Sequence, residues 1–92
     1  MGFARTERFK RAYRRLEAHD REQVKKALAQ LLADRTHPGL RVKRVQGTER
    51  IWEMRAGRNL RAGQGPRITF EIEEETYVLR NVGRHDATLR RP

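Results

Sequence analysis

Downstream of Thr6, apolar side chains recur at Phe9, Ala12, Tyr13 and Leu16. That spacing of i, i+3, i+4 and i+7 lines one face of a helix. Thr6 suits the N-cap, since its hydroxyl can accept from an N–H of the first turn. A second stripe runs through Val24, Ala27, Leu28, Leu31 and Leu32. Asp20 followed by Gln23 resembles a capping box at its start. Only Glu17, Ala18 and His19 separate the two stripes, which predicts an antiparallel helix hairpin. The second helix is expected to stop near Arg35, because Pro38 and Gly39 break the pattern.

Beyond Gly39 the period becomes that of strands. Residues 40–45 read as one strand closed by Gly47, and residues 51–55 as another closed by Gly57. Residues 59–61 are a candidate opening of a third. Ile68, Phe70 and Ile72 alternate with Thr69, Glu71 and Glu73, the pattern of a strand with one buried face. Residues 76–82 form the last strand, joined to the previous one by a tight connection through Glu73, Glu74 and Glu75. Residues 2–5 read as an edge strand or a disordered lead-in. Pro66 cannot donate to a sheet ladder, so residues 62–66 are expected to form a hairpin tip, with a phosphate cradle at Gly63 and Gly65 as the weaker alternative. On the second strand Trp52 and Met54 share one face, with Trp52 expected in the core. Ile51, Glu53 and Arg55 share the other face. Helices followed by a meander predict one α+β domain over residues 1–92. An N-terminal antiparallel helix hairpin would pack on a three- to four-stranded antiparallel sheet.

Charge changes this picture more than composition does. Apolar residues make up 36% of the chain and charged residues 37%, but the apolar positions are periodic, so disorder is not expected. The formal net charge is +10, from 18 Arg and 4 Lys against 12 acidic residues. Such a surplus points to a polyanion or an acidic protein partner. Between Leu40 and Ile68 lie Arg41, Lys43, Arg44, Arg50, Arg55, Arg58, Arg61 and Arg67, against only Glu49 and Glu53. Guanidinium groups match phosphate oxygens as planar, bidentate, permanently charged donors, so RNA is the natural ligand. The basic residues of the helices lie mostly off the apolar stripes and read as a solvated face. The absence of cysteine excludes disulfides and thiolate metal sites, and the three histidines have no metal-ligand spacing, so no metal or other cofactor is expected. No apolar run resembles a secretory signal or approaches the ~20 residues of a membrane span, and a cytoplasmic location is expected.

Metal-free RNA cleavage needs a base for the 2′-hydroxyl, cations for the phosphorane and an acid for the leaving 5′-oxygen. Arginine supplies the cations. Glu53 and His85 are the candidate proton-transfer groups, His85 the better one because an ordinary histidine pKa of ~6.5 suits neutral pH.

Four segments, in their order and spacing, carry a resemblance. They are Ala27-Leu28-Ala29-Gln30-Leu31 before His37-Pro38-Gly39-Leu40, then Lys43-Arg44-Val45-Gln46-Gly47, then Ile51-Trp52-Glu53-Met54-Arg55, then residues 77–86 from Tyr77 to Asp86. The chain resembles the RelE/ParE toxin superfamily of bacterial toxin–antitoxin systems over nearly its whole length. That resemblance implies a RelE-like α+β fold and a toxin neutralised by a small cognate antitoxin. RelE-like members cut mRNA on the ribosome without a metal, whereas ParE-like members inhibit DNA gyrase. The family arginine leading into the central strand corresponds to Arg61 or Arg67, with residues 62–66 an apparent insertion. The basic residue after the Val-Gly of the last strand corresponds to Arg84 or His85. Where some nucleases carry a lysine on the second strand this chain has Glu53, and where some carry a C-terminal tyrosine it has Thr88 or Leu89. The expected catalytic set is therefore Arg61 or Arg67 for the phosphorane, Arg84 for the phosphate, and His85 with Glu53 for proton transfer. Lys43, Arg44, Arg55 and Arg58 would position RNA. A gyrase inhibitor and a plain RNA-binding module, with Tyr77 as its stacking platform, are the rival readings.

Overall fold

Both apolar stripes fold as helices, α1 over Glu7–Arg15 and α2 over Ala18–Ala33. The computed structural model describes residues 2–59, 63–84 and 86–92. Thr6 caps α1, its Oγ1 accepting from the Phe9 N–H, and the same hydroxyl reaches the carbonyls of Leu79 and Arg80. Asp20 does not cap α2. The cap is Glu17, without a side-chain bond, and Asp20 sits inside the first turn with 2% of its surface exposed. Of the second stripe, Val24, Ala27, Leu28 and Leu31 are buried, but Leu32 is turned out and 47% exposed.

The strands are β1 (Gly2–Arg5), β2 (Lys43–Arg44), β3 (Trp52–Arg55), β4 (Arg58–Asn59), β5 (Gly63–Gln64), β6 (Arg67–Glu73) and β7 (Thr76–Gly83), followed by the short helix α3 (Asp86–Arg90). Their main sheet has five strands in the order β1-β7-β6-β3-β2. The pairings β2–β3, β3–β6 and β6–β7 are antiparallel, as expected of a meander. The fifth strand makes the sheet mixed, because β1 pairs parallel to β7, Phe3 opposite Tyr77. Residues 38–40 form a 3₁₀ turn rather than the start of a strand. Pro38 opens that turn, the Gly39 N–H donates to His37 Nδ1, and Arg41 adopts a left-handed φ of 49°, so extended backbone resumes only at Lys43.

Outside the main sheet β4 pairs with β5, so Asn59 does not open a third strand of that sheet, and Gly63 and Gln64 are paired strand rather than the tip expected over residues 62–66. Residues 60–62 lie outside the described residues. Next to β5, Gly65 is packed so tightly that a Cβ there would stand 2.3 Å from the Ala56 carbonyl oxygen.

One face of the sheet carries Met54, Ile68, Phe70, Tyr77, Leu79 and Val82, all buried against Phe9 and the inner stripe of α2. Leu79 and Val82 both point inward although they are three apart. A bulge makes this possible: Thr69 pairs with Asn81 and Phe70 with Leu79, leaving Arg80 as the extra residue. Tyr77 is 2% exposed and meets Phe70 edge-on, ring centres 5.5 Å apart, so it is core and offers no platform for a base. Trp52 is half-buried at the core's margin.

Candidate functional site

The face of the sheet opposite the core gathers the charged positions. Register places Glu53 opposite Lys43 on one side and Thr69 on the other, and Arg55 opposite Arg67. Arg67 in turn pairs with Gly83. Lys43, Glu53, Arg55 and Arg67 therefore share one surface, brought together by alternation on β3 and by pairing with its two neighbours. Glu53, Lys43 and Arg67 line a cleft of about 450 Å³, and α3 contributes Leu89 to it.

Glu53 is the inner group of this cleft, 7% exposed, with Lys43 Nζ 3.8 Å from its carboxylate. Lys43 is mostly in solvent, so this pair adds little stability. Two arginines on opposed positions, with Lys43 beside them, concentrate positive potential at one end of the face. Thr69 is fully buried beneath the surface, its hydroxyl donating to the Asn81 carbonyl at 3.4 Å.

Arg44 also lines the cleft, and its guanidinium sits 5.6 Å from the centre of the Trp52 ring in a cation–π contact. The remaining expected site residues are spread more widely. Arg58 is in β4. Arg61 and His85 lie outside the described residues. Thr88 is buried next to Gly83, whereas Leu89 reaches the cleft.

Arg84 departs most from expectation. Its Nε donates to Asp20 Oδ2 at 2.6 Å and its Nη2 to Oδ1 at 2.8 Å. This bidentate pair joins the end of β7 to the first turn of α2, with the Asp20 side chain 3% exposed and that of Arg84 27% exposed. The hydrogen bonds from Arg84 hold the Asp20 carboxyl below the ordinary carboxylate range, against the opposing effect of burial. The same bonds raise the Arg84 pKa. The fork expected to hold phosphate is thus engaged by a carboxylate. A sequence signal for this existed. Asp20, Val24, Leu28 and Leu31 fall on one helical face, so an acidic residue stood in line with the core.

Helices on one side of a five-stranded mixed sheet, with a cationic cleft on the other, define the class of α+β domain to which this chain belongs. No protein-family model matches the sequence, and no curated protein matches it. Solved structures do match. A double arginine-to-alanine mutant of the E. coli toxin RelE in the free state superposes with a TM-score of 0.68 at 23% identity, covering 94% of this chain and 84% of that one. The RelB–RelE antitoxin–toxin complex of Methanococcus jannaschii gives 0.67 at 18% identity, covering 95% and 93%. The intact E. coli RelBE toxin–antitoxin complex gives 0.64 at 20%, covering 90% and 94%. The chain has the RelE fold.

Proposed function

We propose that this chain is the toxin of a type II toxin–antitoxin pair and a metal-independent endoribonuclease that cuts mRNA on the ribosome. The observation that carries this reading is the cleft in which Arg67, Arg44 and Lys43 surround the buried Glu53 in a RelE fold. In the reaction the 2′-oxygen attacks the adjacent phosphorus as its proton leaves, and the 5′-oxygen departs with a proton. A 2′,3′-cyclic phosphate and a 5′-hydroxyl result. Arg67 stabilises the phosphorane, since it opens β6 on the cleft wall. Arg61 is the second candidate for that role. Glu53 and His85 carry the protons, and Arg84 positions the chain that leads to His85. Arg55, Lys43 and Arg58 hold the RNA strand.

The partner in this reading is a small acidic antitoxin. Two of the matching structures are toxin–antitoxin complexes. A cleft between α1 and α2 has an apolar floor of Phe9, Val24 and Leu28 and a rim of Arg5, Lys10 and Lys25, which suits an acidic amphipathic helix.

Inducible expression in bacteria with mapping of transcript 5′ ends tests the reading. New ends inside translated regions are expected, and Arg67→Gln and His85→Gln are each expected to reduce them about a hundredfold or more. One observation favours a second reading, inhibition of DNA gyrase without catalysis: the cleft holds the carboxylate of Glu53 and the apolar Leu89 where phosphate would sit. Growth arrest with gyrase inhibited and transcripts intact would select it.

A further inference from the structure

A second cavity, of about 520 Å³, opens where α2 meets the 3₁₀ turn and the end of β3. One ridge of α2 supplies Gln23, Lys26 and Gln30, spaced three and four residues apart. Ala27 and Leu40, both buried, form an apolar floor, and Arg41 and Arg55 complete the wall. No carboxylate lines it among the described residues. The pocket therefore combines an apolar surface, two primary amides and three cations.

Two backbone features shape it. Arg41 caps the turn at φ 49° and ψ 51°, a left-handed conformation that side chains other than Asn and Gly rarely adopt. Gly57 has a φ of 75°, and a Cβ on it would stand 2.1 Å from Gln23 Oε1. The Gln23 amide thus lies directly against the backbone of Gly57. Arg55, which walls this pocket, pairs across β3 and β6 with Arg67, which walls the cationic cleft.

We propose that this pocket binds one nucleotide of the RNA strand that enters the cleft and discriminates its base. The base rests on Ala27 and Leu40 and presents its hydrogen-bonding edge to Gln23 and Gln30, whose amides can both donate and accept. Lys26, Arg41 and Arg55 hold the phosphate on the side facing Arg67. The proposal rests on the nuclease reading for the identity of the strand, but not for the binding itself.

The test is a ¹⁵N NMR titration of the full chain with each of the four ribonucleoside 5′-monophosphates and with inorganic phosphate. Saturable shifts are expected at Gln23, Gln30, Gly39, Leu40, Arg41 and Gly57, with the four bases bound unequally and phosphate bound more weakly than the preferred nucleotide. Gln30→Leu is expected to weaken the preferred nucleotide about five- to tenfold and leave phosphate unchanged, whereas Arg41→Gln weakens all four nucleotides alike. Equal shifts from phosphate and all four nucleotides would overturn base discrimination. Shifts elsewhere or none would overturn the site. An acidic oligoglutamate peptide that moves these residues when nucleotides do not would replace it with a protein-docking surface. Ranked nucleotide binding here in a chain that cuts no transcript would keep the pocket and remove the nuclease reading.

Discussion

Removing Arg84 and removing Asp20 are expected to have unequal costs, although each breaks the same two hydrogen bonds. Asp20 is 2% exposed, whereas the Arg84 side chain keeps 27% of its surface in water. Arg84→Met leaves a carboxylate buried without its counter-charge. Breaking a buried pair in this way costs about 3–5 kcal/mol, and the solvated edge of Arg84 lowers the expectation to about 2–3 kcal/mol. Asp20→Ala leaves a guanidinium that can turn into solvent, and about 1–2 kcal/mol is expected. For a domain of 92 residues each kcal/mol corresponds to about 4–8 °C in Tm. The pH dependence adds a second check. In the native chain the Asp20 pKa is lowered by Arg84, so its contribution is fully present above the unfolded value of ~3.9 and is lost as pH falls through the folded value. In Arg84→Met both lowering contributions of Arg84 are gone and burial is opposed only by the charge of His19, so Asp20 takes up a proton at higher pH than in the native chain. The gap in stability between native and variant should therefore narrow as pH falls from 7 towards 4. Urea unfolding followed by fluorescence of the single tryptophan, Trp52, at pH 7, 5.5 and 4 measures all of this. A gap independent of pH, or a larger cost for Asp20→Ala than for Arg84→Met, would refute the reasoning.

Other outcomes follow from single positions. Glu74 sits at φ 53° in the two-residue connection between β6 and β7, flanked by Glu73 and Glu75, so Glu74→Asn is expected to raise stability by about 0.5–1 kcal/mol, read as a higher Tm. Gly65→Ala drives a methyl group into the backbone oxygens of Ala56 and Gly57, and a loss of about 1–3 kcal/mol is expected in the same unfolding assay. Glu53→Gln removes a negative charge from the cationic cleft, so binding of a non-cleavable RNA should tighten. If Glu53 also moves a proton, single-turnover cleavage falls about a hundredfold or more in the same variant.

What the sequence made legible was local. The i, i+3, i+4 spacing of Phe9, Ala12 and Tyr13 and the alternation from Ile68 to Ile72 each describe contacts within one element, and both elements formed. The candidate cleft was half legible on the same basis. Alternation put Glu53 and Arg55 on one face, but Lys43 and Arg67 join them only through pairing register, which a single sequence does not display. The parallel pairing of β1 with β7 and the union of Asp20 with Arg84 span most of the chain; the helical stripe marks Asp20 as inward-facing, but no local pattern encodes its partner or the pairing of β1. The bulge at Arg80 is a property of how β7 pairs with β6, which the residues of β7 alone do not display.

The position of β7 inside the sheet bears on the timing of folding. It is hydrogen-bonded on both edges, to β6, a near neighbour in the chain, and to β1, more than seventy residues earlier. During synthesis the first strand emerges early and must wait for its only sheet partner until almost the last residue of the sheet has left the exit tunnel. Closure of the sheet is therefore a late, non-local event with a large loop to close, which favours slow folding. The Asp20–Arg84 clamp forms at that same step. Until β7 docks, the cleft lacks the strand that supports Arg67, so the assembled surface appears only with closure of the sheet.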